Sequence, residues 1–397
     1  MCKTGILMDM SRKCTPLSLL APLVLCNTLT GCSPDFGDSE AGMALEDLAS
    51  GQSGSRLAAQ VPRPARESIR FTTGGEGRVA DLYHPPRGAR AGIILVPGVA
   101  ARGFRDERVV AVANTLARLD FTVLVPDMPG VRRYRMRSSD VREVADSFTW
   151  LASRPALAPP GHIGIAGFSY GAGPVLLAAI QSDIREQVRF VLAVGGYYSL
   201  ENVVTYLTTG HYRTVESAGT VAIAGHLPPH PYSKATFVRS NLDLLERPAD
   251  REFFRSYAAY IIDNRMDEGE PLPVSLAPDA QAFYDLLTNP LPAQVPVLLE
   301  RLPPRMRTEL EGINPAGHDL SRLWADVILL HGRGDTLIPY TESIALADAL
   351  PENQVQLFLI DGLAHVDFRP KAHDMPQLLG AMEALLAIRM PPRDQDR

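Results

Sequence analysis

Ser169 lies between two glycines in Gly167-Phe168-Ser169-Tyr170-Gly171, the only Gly-x-Ser-x-Gly in the chain. A serine on a tight strand-to-helix turn holds a strained backbone, and side chains in place of the flanking glycines would collide with strand and helix. Such a turn lifts the hydroxyl clear of its surroundings. The helix that begins there brings free backbone N–H groups close to any negative charge formed beside the serine. That is the chemistry of a nucleophile. A serine hydroxyl is weak at neutral pH, so it needs a base within hydrogen-bond reach and a carboxylate to steady that base. Seven histidines follow it: His211, His226, His230, His318, His331, His365 and His373.

Other chemistries find less support. All four cysteines (Cys2, Cys14, Cys26, Cys32) lie in the first 32 residues, so the body of the chain holds no thiol for a disulfide framework, a metal or a nucleophile. His226 and His230 stand four apart, but Pro228 and Pro229 between them exclude a shared helical face, and no metal is expected there. Asp267-Glu268-Gly269-Glu270 reads as a solvated loop. A net charge of −6 with both signs mixed shows no basic stripe, so nucleic acid is not an expected partner. No cofactor is implied.

The elements around Ser169 follow a rhythm. Glu67–Thr72 and Arg78–Tyr83 read as two strands joined by Gly74-Gly75-Glu76-Gly77. The continuous apolar run Gly92–Val96 reads as a strand buried on both faces, and Phe121–Val125 as another, each stopped by proline. His162–Ala166 leads into the serine turn as a strand, and Ser169 to about Gln181 leads out as a helix. Val188–Val194, Val327–Leu330 and Val355–Ile360 read as further strands, and Arg105–Leu119 and Val141–Ser153 as intervening helices. Strands alternating with helices predict a mostly parallel sheet covered by helices on both faces, whose site gathers at the carboxyl ends of the strands.

With this context the Gly167–Gly171 segment resembles the nucleophile elbow of the α/β-hydrolase superfamily, in which the triad runs in the order Ser, Asp or Glu, His. Gly362-Leu363-Ala364-His365, following the last strand, resembles the histidine loop of that superfamily, which implies His365 as base with His373 as the other candidate. His331-Gly332-Arg333-Gly334-Asp335-Thr336-Leu337-Ile338-Pro339 resembles its His-Gly-x-x-Asp-x-x-x-Pro segment and implies Asp335 as the acid. Asp361 is a competitor only four residues from His365, Asp326 precedes its strand at the opposite end of the sheet, and His331 reads as a structural histidine. The resemblance also implies an oxyanion hole from the backbone N–H of Tyr170 and of Val99 in the loop Pro97–Gly103, although this chain has Pro97-Gly98 where many relatives have His-Gly.

Between Val194 and Val327 lie more residues than a minimal fold of this type needs, and insertions at this point form helical lids in the superfamily. Helical stretches are expected around Phe237–Arg247, Arg251–Ile262, Ala280–Leu287 and Val295–Gly312 within a lid at about 197–322. Tyr197, Tyr198, Tyr206, Phe253, Phe254, Tyr257, Tyr260 and Phe283 are aromatics for an acyl pocket or, for most of them, lid core.

Ahead of all this, Arg12-Lys13, the apolar run Pro16–Leu25 and Leu29-Thr30-Gly31-Cys32 describe a secretory signal too short to span a bilayer. The last four residues resemble the lipobox of bacterial lipoproteins, which implies a lipid on Cys32 after removal of residues 1–31. Ser33 then resembles proteins sorted to the outer membrane. Residues 1–9, with Asp9 among them, suit such a signal less well than a start at Met10. Residues 32–66 read as a flexible spacer and 67–397 as the hydrolase domain, tethered to a membrane without crossing it. The expected activity is hydrolysis of a carboxylic ester through an acyl-enzyme. A peptidase or thioesterase on the same triad, or an inactive lipid-tethered binding protein, are the alternatives.

Overall fold

The computed structural model describes residues 36–50, 54–215, 221–263, 271, 273, 275–365, 367–368 and 370–390. The signal sequence and Cys32 lie outside them. In chain order the strands are β1 (Ala65–Thr73), β2 (Glu76–His84), β3 (Ala91–Val96), β4 (Phe121–Pro126), β5 (Ile163–Phe168), β6 (Phe190–Val194), β7 (His211–Val215), β8 (Val221–His226), β9 (Asp326–Gly332) and β10 (Val355–Ile360), with two-residue strands β11 (Leu363–Ala364) and β12 (Asp367–Phe368) after them. The helices begin with α1 (Glu40–Ala49), α2 (Arg56–Gln60), α3 (Glu107–Arg118), α4 (Pro129–Arg132), α5 (Ser139–Ala152) and α6 (Ala172–Ala179). After β6 come α7 (Leu200–Thr209), α8 (Pro231–Asn241), α9 (Pro248–Ile262), α10 (Pro278–Thr288), α11 (Val295–Glu300) and α12 (Pro304–Gly312). Then follow α13 (Thr341–Asp348) and α14 (Met375–Ala387).

Eight strands form one sheet in the order β1-β2-β4-β3-β5-β6-β9-β10. β2 is antiparallel to both β1 and β4, and every later pairing is parallel. With helices on both faces and an insertion before β9, this is the expected α/β-hydrolase fold with a lid. The alternation of side chains along each strand explains why β3 and β4, covered on both faces, are buried at every position. Ile94 and Val96 enter the core on the α5 and α6 side. Ile93 and Leu95 enter the core shared with α1, α3 and α14.

The sequence reading of residues 32–66 as a spacer is corrected from Phe36 onward. Ser39 caps α1 by accepting the N–H of Gly42, and Ala41, Ala44 and Leu45 are buried against the sheet-covering helices. Asp47, at the same helix, is fully buried and accepts from Thr115 Oγ1 at 2.6 Å and Arg118 Nη1 at 3.0 Å. The periodicity Ala41-Ala44-Leu45-Leu48 behind a serine cap is short, which is why a polar, glycine-containing neighbourhood masked it.

Within the insertion a third core forms around Phe237, Phe254, Tyr257, Tyr260 and Phe283. The Phe254 and Phe283 ring centroids lie 5.0 Å apart. Most of the lid aromatics are therefore lid core. The helical stretch expected around Val295–Gly312, interrupted by prolines, holds two helices, α11 and α12, parted before Pro303-Pro304. The antiparallel pair β7–β8 lies ahead of the helical stretches expected in the insertion, where the sequence suggests no element.

Candidate active site

β5 ends at Phe168, Ser169–Gly171 make one 3₁₀ turn, and α6 follows. Ser169 has φ of 55°, the left-handed region that costs a non-glycine residue roughly 1–3 kcal/mol and persists only where its surroundings enforce it. Those surroundings are tight. A Cβ on Gly167 would lie 2.5 Å from the carbonyl oxygen of Gly171, and one on Gly171 would lie 2.9 Å from those of Val96 and Pro97. Both glycines of the motif are thus demanded by close approach of backbone to backbone.

His365 also has a positive φ, of 57°, and is 8% exposed. Its Nδ1 lies 2.7 Å from Asp335 Oδ2, which leaves Nε2 for a partner in the cavity that His365 and Ser169 both line. Asp335, 1% exposed, sits in the loop after β9. Its other oxygen accepts the N–H groups of Leu337 at 2.8 Å and Ile338 at 3.0 Å. Burial alone would raise its pKa, but the neighbouring His331 and His365 outweigh it and hold the carboxyl well below the ordinary range.

The other candidates make different contacts. His373 pairs with Asp361 at 3.0 Å, and Asp326 pairs with Arg189 at 2.6 Å. His331 is fully buried, with Nδ1 2.7 Å from Ser343 Oγ and Nε2 3.0 Å from the Ile338 carbonyl and 3.2 Å from Asp335 Oδ2. His226 stands edge-on to His211, ring centroids 4.8 Å apart, while His230 caps α8.

The cavity measures about 570 Å³ and is walled by Val99, Phe168, Leu200, Val203, Leu207 and Phe237 among others, so lid helices α7 and α8 supply one side. Two charged side chains that also line it, Asp106 and Arg108, pair at 3.0 Å. Tyr197 is the member of the aromatic set that reaches it. Val99 and Tyr170, the expected oxyanion donors, both border it.

Two contributors carry no sequence signal. Asp140, 2% exposed, accepts the Tyr170 hydroxyl at 2.5 Å. Burial pushes its pKa up to about 6, against the pull of the Tyr170 hydroxyl and the Arg137 N–H. Tyr232, on α8, donates its hydroxyl to the Val99 carbonyl at 2.9 Å. Each is separated from its partner by tens of residues, and nothing local marks it.

No family profile matches the chain, and no curated protein matches it. Among solved structures it is similar to a puromycin-hydrolyzing peptidase of Mycobacterium tuberculosis, at 17% identity and TM-score 0.47, over 82% of this chain and 39% of that one. It is similar to a thermophilic carboxylesterase cloned from a metagenomic library, at 13% identity and TM-score 0.44, over 89% and 99%. It is also similar to the Pyrococcus horikoshii acylaminoacyl peptidase, at 12% identity and TM-score 0.45, over 82% and 42%. The chain spans less than half the length of the two peptidases.

Proposed function

We propose that this protein is a serine hydrolase that cleaves uncharged, largely apolar carboxylic esters. The observation that carries the reading is the 2.7 Å contact between His365 and an ionised, buried Asp335, facing a cavity that also holds the strained Ser169. In this reading the Ser169 hydroxyl gives its proton to His365 Nε2 as its oxygen bonds to the ester carbonyl carbon. The backbone N–H groups of Val99 and Tyr170 hold the resulting oxyanion, each worth roughly 2.7–4 kcal/mol in related sites. Collapse breaks the ester C–O bond, and the imidazolium returns the proton to the departing alcohol. Water then repeats the sequence on the acyl-enzyme, with His365 again as base. Asp335 keeps the imidazole in one tautomer and stabilises its cation. The apolar wall of the cavity supports an ester with little charge, since burying an unpaired charge there would be costly.

Fluorophosphonate labelling tests the assignment. Wild type is expected to label and Ser169→Ala to lose both labelling and turnover of aryl esters, by roughly 10⁴-fold or more. Ser169→Ala labelled as strongly as wild type would refute the nucleophile. A parallel panel of peptide amides and thioesters reads the leaving group. We further propose that the chain is held at the bacterial outer membrane by a lipid on Cys32, on the strength of Leu29-Thr30-Gly31-Cys32 behind a basic and apolar stretch.

A further inference from the structure

We infer that Tyr232 is a positioning residue for the oxyanion hole, so that the lid is a fixed brace of the catalytic loops. The inference rests on the hydrolase reading above. Val99 lies in the irregular loop between β3 and the 3₁₀ turn Gly103–Arg105, where no strand ladder fixes its peptide planes. Its carbonyl is instead held from the lid, by the Tyr232 hydroxyl at 2.9 Å. Anchoring that carbonyl restrains the Val99–Ala100 peptide plane, and with it the Cα to which the Val99 N–H is joined through only φ and ψ. Tyr232 is itself held in place. Its ring meets that of Tyr134 edge-on at 6.5 Å, and Arg239 covers Tyr134 at 5.1 Å.

Neighbouring contacts tie the same lid segment to the rest of the site. The N–H of His230 donates to the Thr336 carbonyl at 2.7 Å, and the Tyr206 hydroxyl donates to it at 3.1 Å, beside Asp335. On the Tyr170 side, the Asp140 oxygen that takes the tyrosine hydroxyl also accepts the N–H of Arg137 at 3.0 Å. The Arg137 guanidinium in turn donates to the Ser240 carbonyl at 2.9 Å and to Asp243 at 2.5 Å. Residues 230–243 therefore touch the loop of one oxyanion donor, the network of the other, and the acid loop. A hole misaligned by a fraction of an ångström loses transition-state stabilisation without losing substrate affinity.

The test is Tyr232→Phe, which removes the hydroxyl and keeps the ring. We expect kcat to fall about 10- to 100-fold with KM within about twofold. Affinity for a trifluoromethyl ketone, whose adduct places an oxyanion in the hole, should fall in parallel with kcat/KM. p-Aminophenylalanine at 232 keeps both size and a donor and should restore most of the rate. An unchanged kcat, a rise in KM alone, or ketone affinity equal to wild type would each overturn the inference. If Tyr232→Phe does not fold, the p-aminophenylalanine chain decides alone: activity near wild type supports the clasp, and a loss as large as about tenfold overturns it. Fluorophosphonate labelling of the same preparations separates the two readings. An unlabelled wild type refutes the hydrolase and the clasp together, whereas a labelled wild type with an insensitive Tyr232→Phe refutes only the clasp.

Discussion

Asp335 collects His365 and His331 on one oxygen and two backbone N–H groups on the other, all within 3.2 Å. Its depressed pKa has a definite consequence for pH dependence. The carboxylate is ionised throughout the neutral range, so no limb of the rate profile there belongs to its titration; what it contributes to stability is present above the ordinary carboxyl value of 3.8 and is lost only as pH falls below it. Asp335→Asn keeps the shape but offers an amide where His365 needs an acceptor. It is expected to lower kcat by about 10⁴-fold while leaving the fold in place at neutral pH. Ester kinetics with a parallel thermal melt check this, and a loss under tenfold would mean that another acid serves His365. This residue was legible because Asp335 stands in a patterned segment ending a strand. The sequence pattern also favours His365 over His373, and the geometry separates them: one meets Asp335, the other the exposed Asp361. The Tyr232 and Asp140 contacts were invisible because tertiary proximity of residues far apart in sequence leaves no local period to read.

Among the elements, the sheet is the most legible part because its central strands are buried on both faces and largely apolar, while the lid is less so. Prolines there mark starts of α8, α9, α10 and α12 and breaks between helices, and β7–β8 pairs without the strong alternation that betrays a half-buried hairpin. How the lid begins is set by α13. Glu342 in its first turn is 1% exposed and accepts the N–H groups of Tyr198 at 3.1 Å and Ser199 at 2.8 Å, just where α7 starts. Burial pushes its pKa from 4.5 up to about 7, opposed by those N–H groups and by Asn202. Because the folded pKa is raised, the stability linked to its protonated form is fully present below about 4.5 and is lost as pH rises through about 7. Glu342→Gln removes the titration. Its melting temperature relative to wild type is therefore expected to rise by several degrees between about pH 5 and about pH 8. A difference that is flat with pH would show that Glu342 does not change protonation in this range.

At the scale of the whole molecule, the N-terminal region bears on the proposed lipid anchor. Residues 39–50 and 54–61 belong to the packed body: Arg389 donates to Glu40 at 2.8 Å, and Arg118 and Asp47 form a buried ion pair. Removing one partner of such a pair costs about 3–5 kcal/mol, so this region is held by the body itself. If Cys32 carries a lipid, only residues 33–35 separate it from Phe36, which already packs against the core, and Arg56 holds Gly37 and Asp38, so the tether reaches at most about 15 Å. That is shorter than the spacer expected from composition. A body held by its own contacts would not depend on such an anchor for stability. Cys32→Ser is therefore expected to shift the chain from the membrane fraction to the soluble fraction and to abolish incorporation of labelled palmitate. Its melting temperature and its kcat/KM toward a soluble ester should match those of wild type released in detergent. A Cys32→Ser chain that stays with the membrane would remove the lipid as the anchor. A released chain that loses activity toward a soluble ester would show that attachment itself shapes the site.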